Sequence, residues 1–418
     1  MMLDEILGGI WQAVSQAFSV SWWIIIPIIV GSVFWERLRY YILIEALKKM
    51  KWVTLEIRIP QVIEKTPKAM EQVFAALHAS YVFNIKWFEK NLKGKVQEWY
   101  SIEMVGIAGG IYFYIRTSEN HRSLVESAIY SQYPDAEIAE VDDYLSNLPG
   151  IIPNKTYDLW GTDLILGRDD GYPIRTYPAF EEKKDEALLD PMAGIAEVMS
   201  RLKEGEMILL QFLIRPTGDD WKKQAEETRD KLIGRKKPKK AKATDDAKEL
   251  IGNFFKGPFA EIEWGKKEDK PANENLMAGK SPGEKDIIEN IEKKMAKIAF
   301  DARIRFIYID RRESFTRGHI SAVLGAFRQF DTRDMNFFRP DLDTMTKGKF
   351  PFKDQKAEAK KRKIFKAYRY RMMGRKNSVL NVEELATIFH FPAIAVKSPM
   401  LRRLSSRKGE PPAGLPLE

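Results

Sequence analysis

Residues 18–35, FSVSWWIIIPIIVGSVFW, contain no charged side chain. As a helix such a run is about 27 Å long, close to the thickness of one bilayer core. Trp22 and Trp23 stand near one end, with Trp35, Tyr40 and Tyr41 beyond the other, the placement of aromatic anchors at two membrane interfaces. Pro27 sits mid-run, where a membrane helix tolerates it better than a helix in water. A cleaved signal peptide is disfavoured, because the chain starts with Asp4 and Glu5 and leaves the run through Trp-Glu-Arg-Leu-Arg. A buried core helix is the other reading of the same residues. Arg37, Arg39, Lys48, Lys49 and Lys51 all follow the run, so the positive-inside bias puts the large C-terminal part on the cytoplasmic side. The expectation is a single-pass protein of the cytoplasmic (inner) membrane, with membrane lipid as a partner.

The remaining chain has the composition of a folded body. Of 418 residues 44% are apolar, enough for ordinary cores. The absence of cysteine excludes disulfides, thiolate metal sites and cysteine nucleophiles. A net charge of +9 is modest for this length, so nucleic-acid binding has to be argued from where the charge lies.

The segment WVTLEIRIP (52–60) alternates apolar and polar residues as a half-buried strand does, and PKAMEQVFAALHASY after it has helical spacing. YSIEMVGIAGGIYFYIRTS reads as two strands around a glycine-rich turn, followed by a helix over 119–130 and a strand near 136–141. Strand, helix, strand, strand, helix, strand is the order of a split β-α-β, ferredoxin-like unit. A second, less clear pass begins at EMILLQFLIRPTG (206–218) and continues through a helix, a long strand or hairpin KIAFDARIRFIYID (297–310) and the helix SFTRGHISAVLGAFRQF. The expected fold is α+β: an N-terminal part over 1–50, a first unit over 51–145, a connecting segment over 146–189 and a second unit over 190–335. A charged, poorly apolar insertion over 234–285 interrupts the second unit, a basic helical region with a capped helix occupies 336–392, and a proline-rich tail occupies 393–418.

Catalytic signatures are missing. AGKS at 278–281 ends like a phosphate loop, but Glu274 stands where its first glycine is required. His78, His121, His319 and His390 are scattered singly, so neither a metal nor any other cofactor is expected. The basic run 356–376 holds ten Lys or Arg and one acid, with Phe365, Tyr368 and Tyr370 between them. Lys360, Lys361, Arg362, Lys363, Lys366, Arg369 and Arg371 are candidates for contact with nucleic acid or anionic lipid. The plainer reading is a solvated helix whose Ile364, Phe365 and Tyr368 pack on the body.

NVEELATIFHFP (381–392) closes the folded part, with Asn381 as cap and Glu384 as the reciprocal member of a capping box. This helix, VKSP at 396–399 and the Glu-Pro-Pro tail resemble the stretch upstream of the motor in type IV secretion and conjugation ATPases, the TraG-like coupling proteins and HerA-type translocases. Trp52, Leu55, Glu56, Ile57, Ile59 and Pro60 fit the W-x-x-L-E-I-x-I-P feature of their membrane-anchored forms, and PKAMEQVFAALH continues the likeness. No Walker A motif is present, so the motor activity does not carry over. The resemblance implies a non-catalytic, membrane-anchored adaptor of a DNA-transfer apparatus that positions an ATPase supplied by another chain. Asn381, Glu384, Leu385, Ile388, Phe389, His390, Phe391 and Pro392 are then the candidate docking residues. A membrane-tethered nucleic-acid-binding protein, a general envelope scaffold and self-association remain open alternatives.

Overall fold

A computed structural model describes residues 2–60, 65–181, 190–234, 280–374 and 376–392. The proline-rich tail at 393–418, and most of the charged insertion, lie outside the described residues. The fold is a mixed α+β body on one antiparallel sheet of nine strands.

Helix α1 (Met2–Lys49) leads into β1 (Trp52–Arg58), α2 (Pro67–Leu77), the short α3 (Trp87–Leu92), β2 (Tyr100–Ile107), β3 (Gly110–Ser118), α4 (Arg122–Gln132) and β4 (Glu137–Val141). Elements β1, α2, β2, β3, α4 and β4 fall where the periodicity places them, whereas α3 is a helix that the periodicity does not mark. The β2–β3 hairpin turns on Ala108 (φ 47°) and Gly109 (φ 82°), and two successive left-handed residues give the turn twist that antiparallel strands favour.

The chain continues through β5 (Tyr157–Leu166), α5 (Pro178–Glu181), α6 (Ala193–Ser200), β6 (Met207–Pro216) and α7 (Asp220–Ile233). After the insertion come α8 (Pro282–Met295), β7 (Ala299–Arg311), α9 (Gly318–Phe327), β8 (Phe338–Pro340), α10 (Lys353–Arg369), β9 (Ser378–Asn381) and α11 (Val382–Ile388). Strand β5 lies in the 146–189 stretch that the sequence presents as a connection.

The sheet runs β4-β1-β3-β2-β6-β7-β5-β8, with β9 added to β7. The order β4-β1-β3-β2 in the first half matches β8-β5-β7-β6 in the second, so the halves mirror each other across the β2–β6 pairing. At the centre of that pairing Glu103 stands opposite Gln211. Strand β9 lies against residues 299–302 of β7, beyond the stretch 304–311 that pairs with β5.

Alternation along the strands divides the core in two. Ile102, Met104, Ile208, Leu210, Phe212, Ile304 and Phe306 point to the face covered by α2, α4, α6, α9 and α11. Val105, Leu209, Ile307 and Ile309 point to the opposite face, where Ile364, Phe365 and Tyr368 of α10 cover them.

Candidate functional site

The basic run folds as α10, and its charges divide by direction. Lys360 donates to the carbonyls of Leu342 (2.9 Å) and Met345 (3.2 Å), and Lys361 pairs with Asp158 at 2.6 Å. Arg369 donates to the carbonyls of Leu145 and Leu148. Arg371 is 3% exposed. Arg362 pairs with Glu358 one turn away, while Lys363 and Lys366 are exposed. Five of the seven candidate contact residues therefore bind this chain's own atoms, and Lys363 and Lys366 are the two left facing outward. Ile364, Phe365 and Tyr368 are buried, as the plainer reading of this helix has it.

Under the C-terminal end of α10 lies a closed polar network. The guanidinium of Arg371 donates to Glu103 from Nε at 2.9 Å and from Nη2 at 3.2 Å, and also binds Asp143. Glu103 accepts further bonds from Tyr144 at 2.6 Å and from Gln211 at 3.0 Å. Arg305 extends the network, donating to Gln211 at 2.8 Å and to Asp163 at 2.9 Å. Glu103 and Gln211 are both 0% exposed. Burial alone would raise the Glu103 carboxyl, but the adjacent Arg371 charge and its hydrogen bonds outweigh that and hold it below the usual carboxylate range. Burial pushes the Tyr144 and Tyr368 hydroxyls well up.

Because the folded Glu103 has the lower pKa, its stabilisation is present above the ordinary carboxylate range and is lost as pH falls through the folded value. The midpoint of urea unfolding should fall between neutral pH and about pH 3, and Glu103→Gln should flatten part of that slope. Identical slopes in the two proteins would refute this role for the pair.

The terminal helix α11 carries the expected capping box, with Glu384 N donating to Asn381 at 2.8 Å and Asn381 N donating to Glu384 at 2.9 Å. The docking expectation for its residues is corrected by their burial. Asn381, Glu384, Leu385, Ile388, Phe389, His390, Phe391 and Pro392 all lie inside the body. Phe389 meets Phe113 and Phe212 ring to ring, His390 spans the Ala386 carbonyl and Asp190 at 2.9 Å each, and Glu384 pairs with the buried Lys294 at 3.0 Å. Every residue of this helix except the half-buried Glu383 is buried, which leaves little outward face for a partner.

Helix α1 continues through the uncharged run without a break. Trp22, Trp23, Ile26, Ile28, Ile29, Val30, Val33 and Phe34 are exposed, as are Tyr40 and Tyr41. Among the described residues no helix is long and apolar enough to cross a membrane. Trp35 is half-buried and stacks on Trp87 of α3, with ring centroids 6.1 Å apart. Around α3, Phe83, Trp87 and Phe88 are exposed beside Lys86, Lys90 and Lys93.

A family model described as a domain of unknown function, DUF8128, matches residues 43–402. The chain belongs to this family. No curated protein matches the sequence. The DUF8128 match begins beyond the apolar run and takes in both halves of the sheet, α3, the polar network and α11.

Sequence reasoning missed two groups within the DUF8128 body. Segment 82–95, VFNIKWFEKNLKGK, joins four lysines to exposed rings, and its density of aromatic and basic residues is the available signal. The tip KGKFPFK (347–353) exposes Phe350 (94%) and Phe352 (68%) between lysines. The Glu103–Arg371 pairing, between residues 268 positions apart, has no signal in a single sequence. Among the described residues no group of three or more His, Asp and Glu side chains could hold a metal ion.

Proposed function

We propose that this chain is a non-catalytic adaptor held at the cytoplasmic face of the inner membrane by α1, within a DNA-transfer apparatus of the conjugation or type IV secretion kind. The observation that carries the anchor is the exposure of Ile28, Ile29 and Val30 in succession, followed by Val33 and Phe34. Three consecutive positions cover nearly a full turn of helix, so this segment presents apolar surface in all directions and requires lipid or another chain around it. The strand order β4-β1-β3-β2, repeated as β8-β5-β7-β6, supports a body built from two split β-α-β units, the second with α7 and α8 added between its middle strands.

The transfer apparatus and its motor rest on the resemblance at 52–60 and 67–78. With Asn381–Pro392 in the core, contact with a motor falls to the exposed surface of the body. Full-length chain reconstituted with phospholipid should float with vesicles and resist alkaline carbonate, and deletion of 18–35 should abolish both. Carbonate extraction of the full chain would overturn the anchor, and ATP turnover by the purified full chain would overturn the adaptor.

The exposed rings of Phe350 and Phe352 favour a second reading, in which α10 and this tip bind single-stranded nucleic acid. Lys347, Lys349, Lys353, Lys356, Lys363 and Lys366 are exposed around them or along the helix, so phosphate contact and base stacking come together. Replacing Lys356, Lys363 and Lys366 with alanine should weaken binding to an oligothymidylate and reduce its salt slope by up to about three. An unchanged slope would eliminate this reading. Lys360, Lys361, Arg369 and Arg371 are unsuitable for the test, because their loss unpairs groups inside the fold.

A further inference from the structure

We infer that the loop carrying α3 is an interfacial foot that lies among anionic phospholipid headgroups beside α1; this rests on the anchor reading above. The loop is built to hold a fixed position. At its base Gln97 accepts from Val82 N at 2.7 Å and donates to the Ser80 carbonyl at 3.0 Å. Farther along, Gly94 (φ 66°) approaches α1 so closely that a Cβ there would stand 2.7 Å from the Ala46 Cβ and 2.9 Å from the Ile42 carbonyl. The Trp35–Trp87 stack is a second tie, with ring planes only 10° apart.

These ties set the depth of the loop. Trp35 ends the uncharged run, so a bilayer around 18–35 has its interface at Trp35, and the stacked Trp87 shares that level. Phe83 (82% exposed) and Phe88 (54% exposed) flank it, and both turn most of the ring outward. The charge is one-sided: residues 82–95 hold four lysines and one acid, Glu89, which pairs with Lys95 at 3.4 Å. Lys86, Lys90 and Lys93 stay exposed around the rings, with the Lys93 ammonium 5.9 Å from the Phe88 ring centroid. Exposed aromatic rings at interface depth within a collar of lysines match the acyl–headgroup boundary of an anionic leaflet, where each lysine adds attraction. A protein partner or a second copy would have to displace lipid at the same level.

The chain has no cysteine, so a single Phe88→Cys or Val30→Cys carries an environment-sensitive fluorophore at one site in the full-length protein. The probe would be read in phosphatidylcholine vesicles with and without phosphatidylglycerol. With phosphatidylglycerol present, the label at 88 should shift to the blue, lose access to aqueous iodide and be quenched by headgroup-region spin-labelled lipid. Lys86→Gln, Lys90→Gln and Lys93→Gln together should remove the dependence on phosphatidylglycerol. A label at 88 that stays open to iodide while the label at 30 is shielded overturns the foot and leaves the anchor standing. Exposure of the label at 30 overturns both. Shielding at 88 that appears only as protein concentration rises assigns the rings to a second copy and overturns the lipid assignment, as does a triple variant with unchanged phosphatidylglycerol dependence.

Discussion

Arg371→Ala is expected to destabilise the body by about 3–5 kcal/mol, the usual consequence of stripping a buried carboxylate of its counter-charge. Glu103 would keep Tyr144 and Gln211 as donors but lose both guanidinium bonds in a site sealed from water. Asp143, on the chain leaving β4, would lose the same partner, so the damage reaches from the sheet centre to its rim. Urea or guanidinium unfolding measures the loss directly. Arg371 has φ 50°, a left-handed conformation in which glycine is at ease, so Arg371→Gly separates backbone from charge. If charge dominates, the glycine variant falls almost as far as the alanine variant. A double variant, Arg371→Met with Glu103→Leu, should recover much of the stability, because two charges are then removed from the interior together. A midpoint for Arg371→Ala within experimental error of the parent would refute this role for the Glu103–Arg371 pair.

Phe389→Ala should cost a further, independent amount of about 3–5 kcal/mol, as truncation of a fully buried aromatic ring does. Its ring lies 6.2 Å from Phe113, 5.5 Å from Phe212 and 6.0 Å from Phe391, centroid to centroid, so the void opens between the sheet and the terminal helix. The result decides between core and docking surface. A stability loss without a specific loss of partner binding fits the core position. A variant as stable as its parent that fails to bind a motor would restore the docking assignment.

The two halves of the fold differed in how much of them could be read from the residues. In the first half, the strict alternation of 52–58 and the hairpin glycines announce their elements, because each such strand has one face toward apolar neighbours. Strand β5 hides for the opposite reason. Its sequence, YDLWGTDLIL, places Gly161, Thr162 and Asp163 in the middle of the strand, where polar residues look like a loop. Asp163 is tolerable there because Arg305, 142 residues later, and Arg303 bind it. In α10 the apolar positions 364, 365 and 368 were legible, but which cations turn inward depends on carbonyls and carboxylates supplied by distant segments. The capping box of α11 is local and was legible. The direction its apolar face takes is not local, and only the burial of Val382, Ala386 and Thr387 on its other sides shows that the helix is enclosed.

The mirrored order of the sheet leaves β4 and β8 at its two ends, with the four-residue β9 as a short further edge beside β7. Strand β4 has exposed Glu137 and Glu140, and β8 is only three residues long and ends in Pro340, which has no amide hydrogen to offer. Neither end is a good template for a strand from another molecule, and β9 is four residues long, with its Val379 carbonyl taken by the Lys294 ammonium. Copies of this protein gathered side by side at high local density would therefore resist growing into continuous β-ribbons, and ordered assembly would have to proceed through helices and loops.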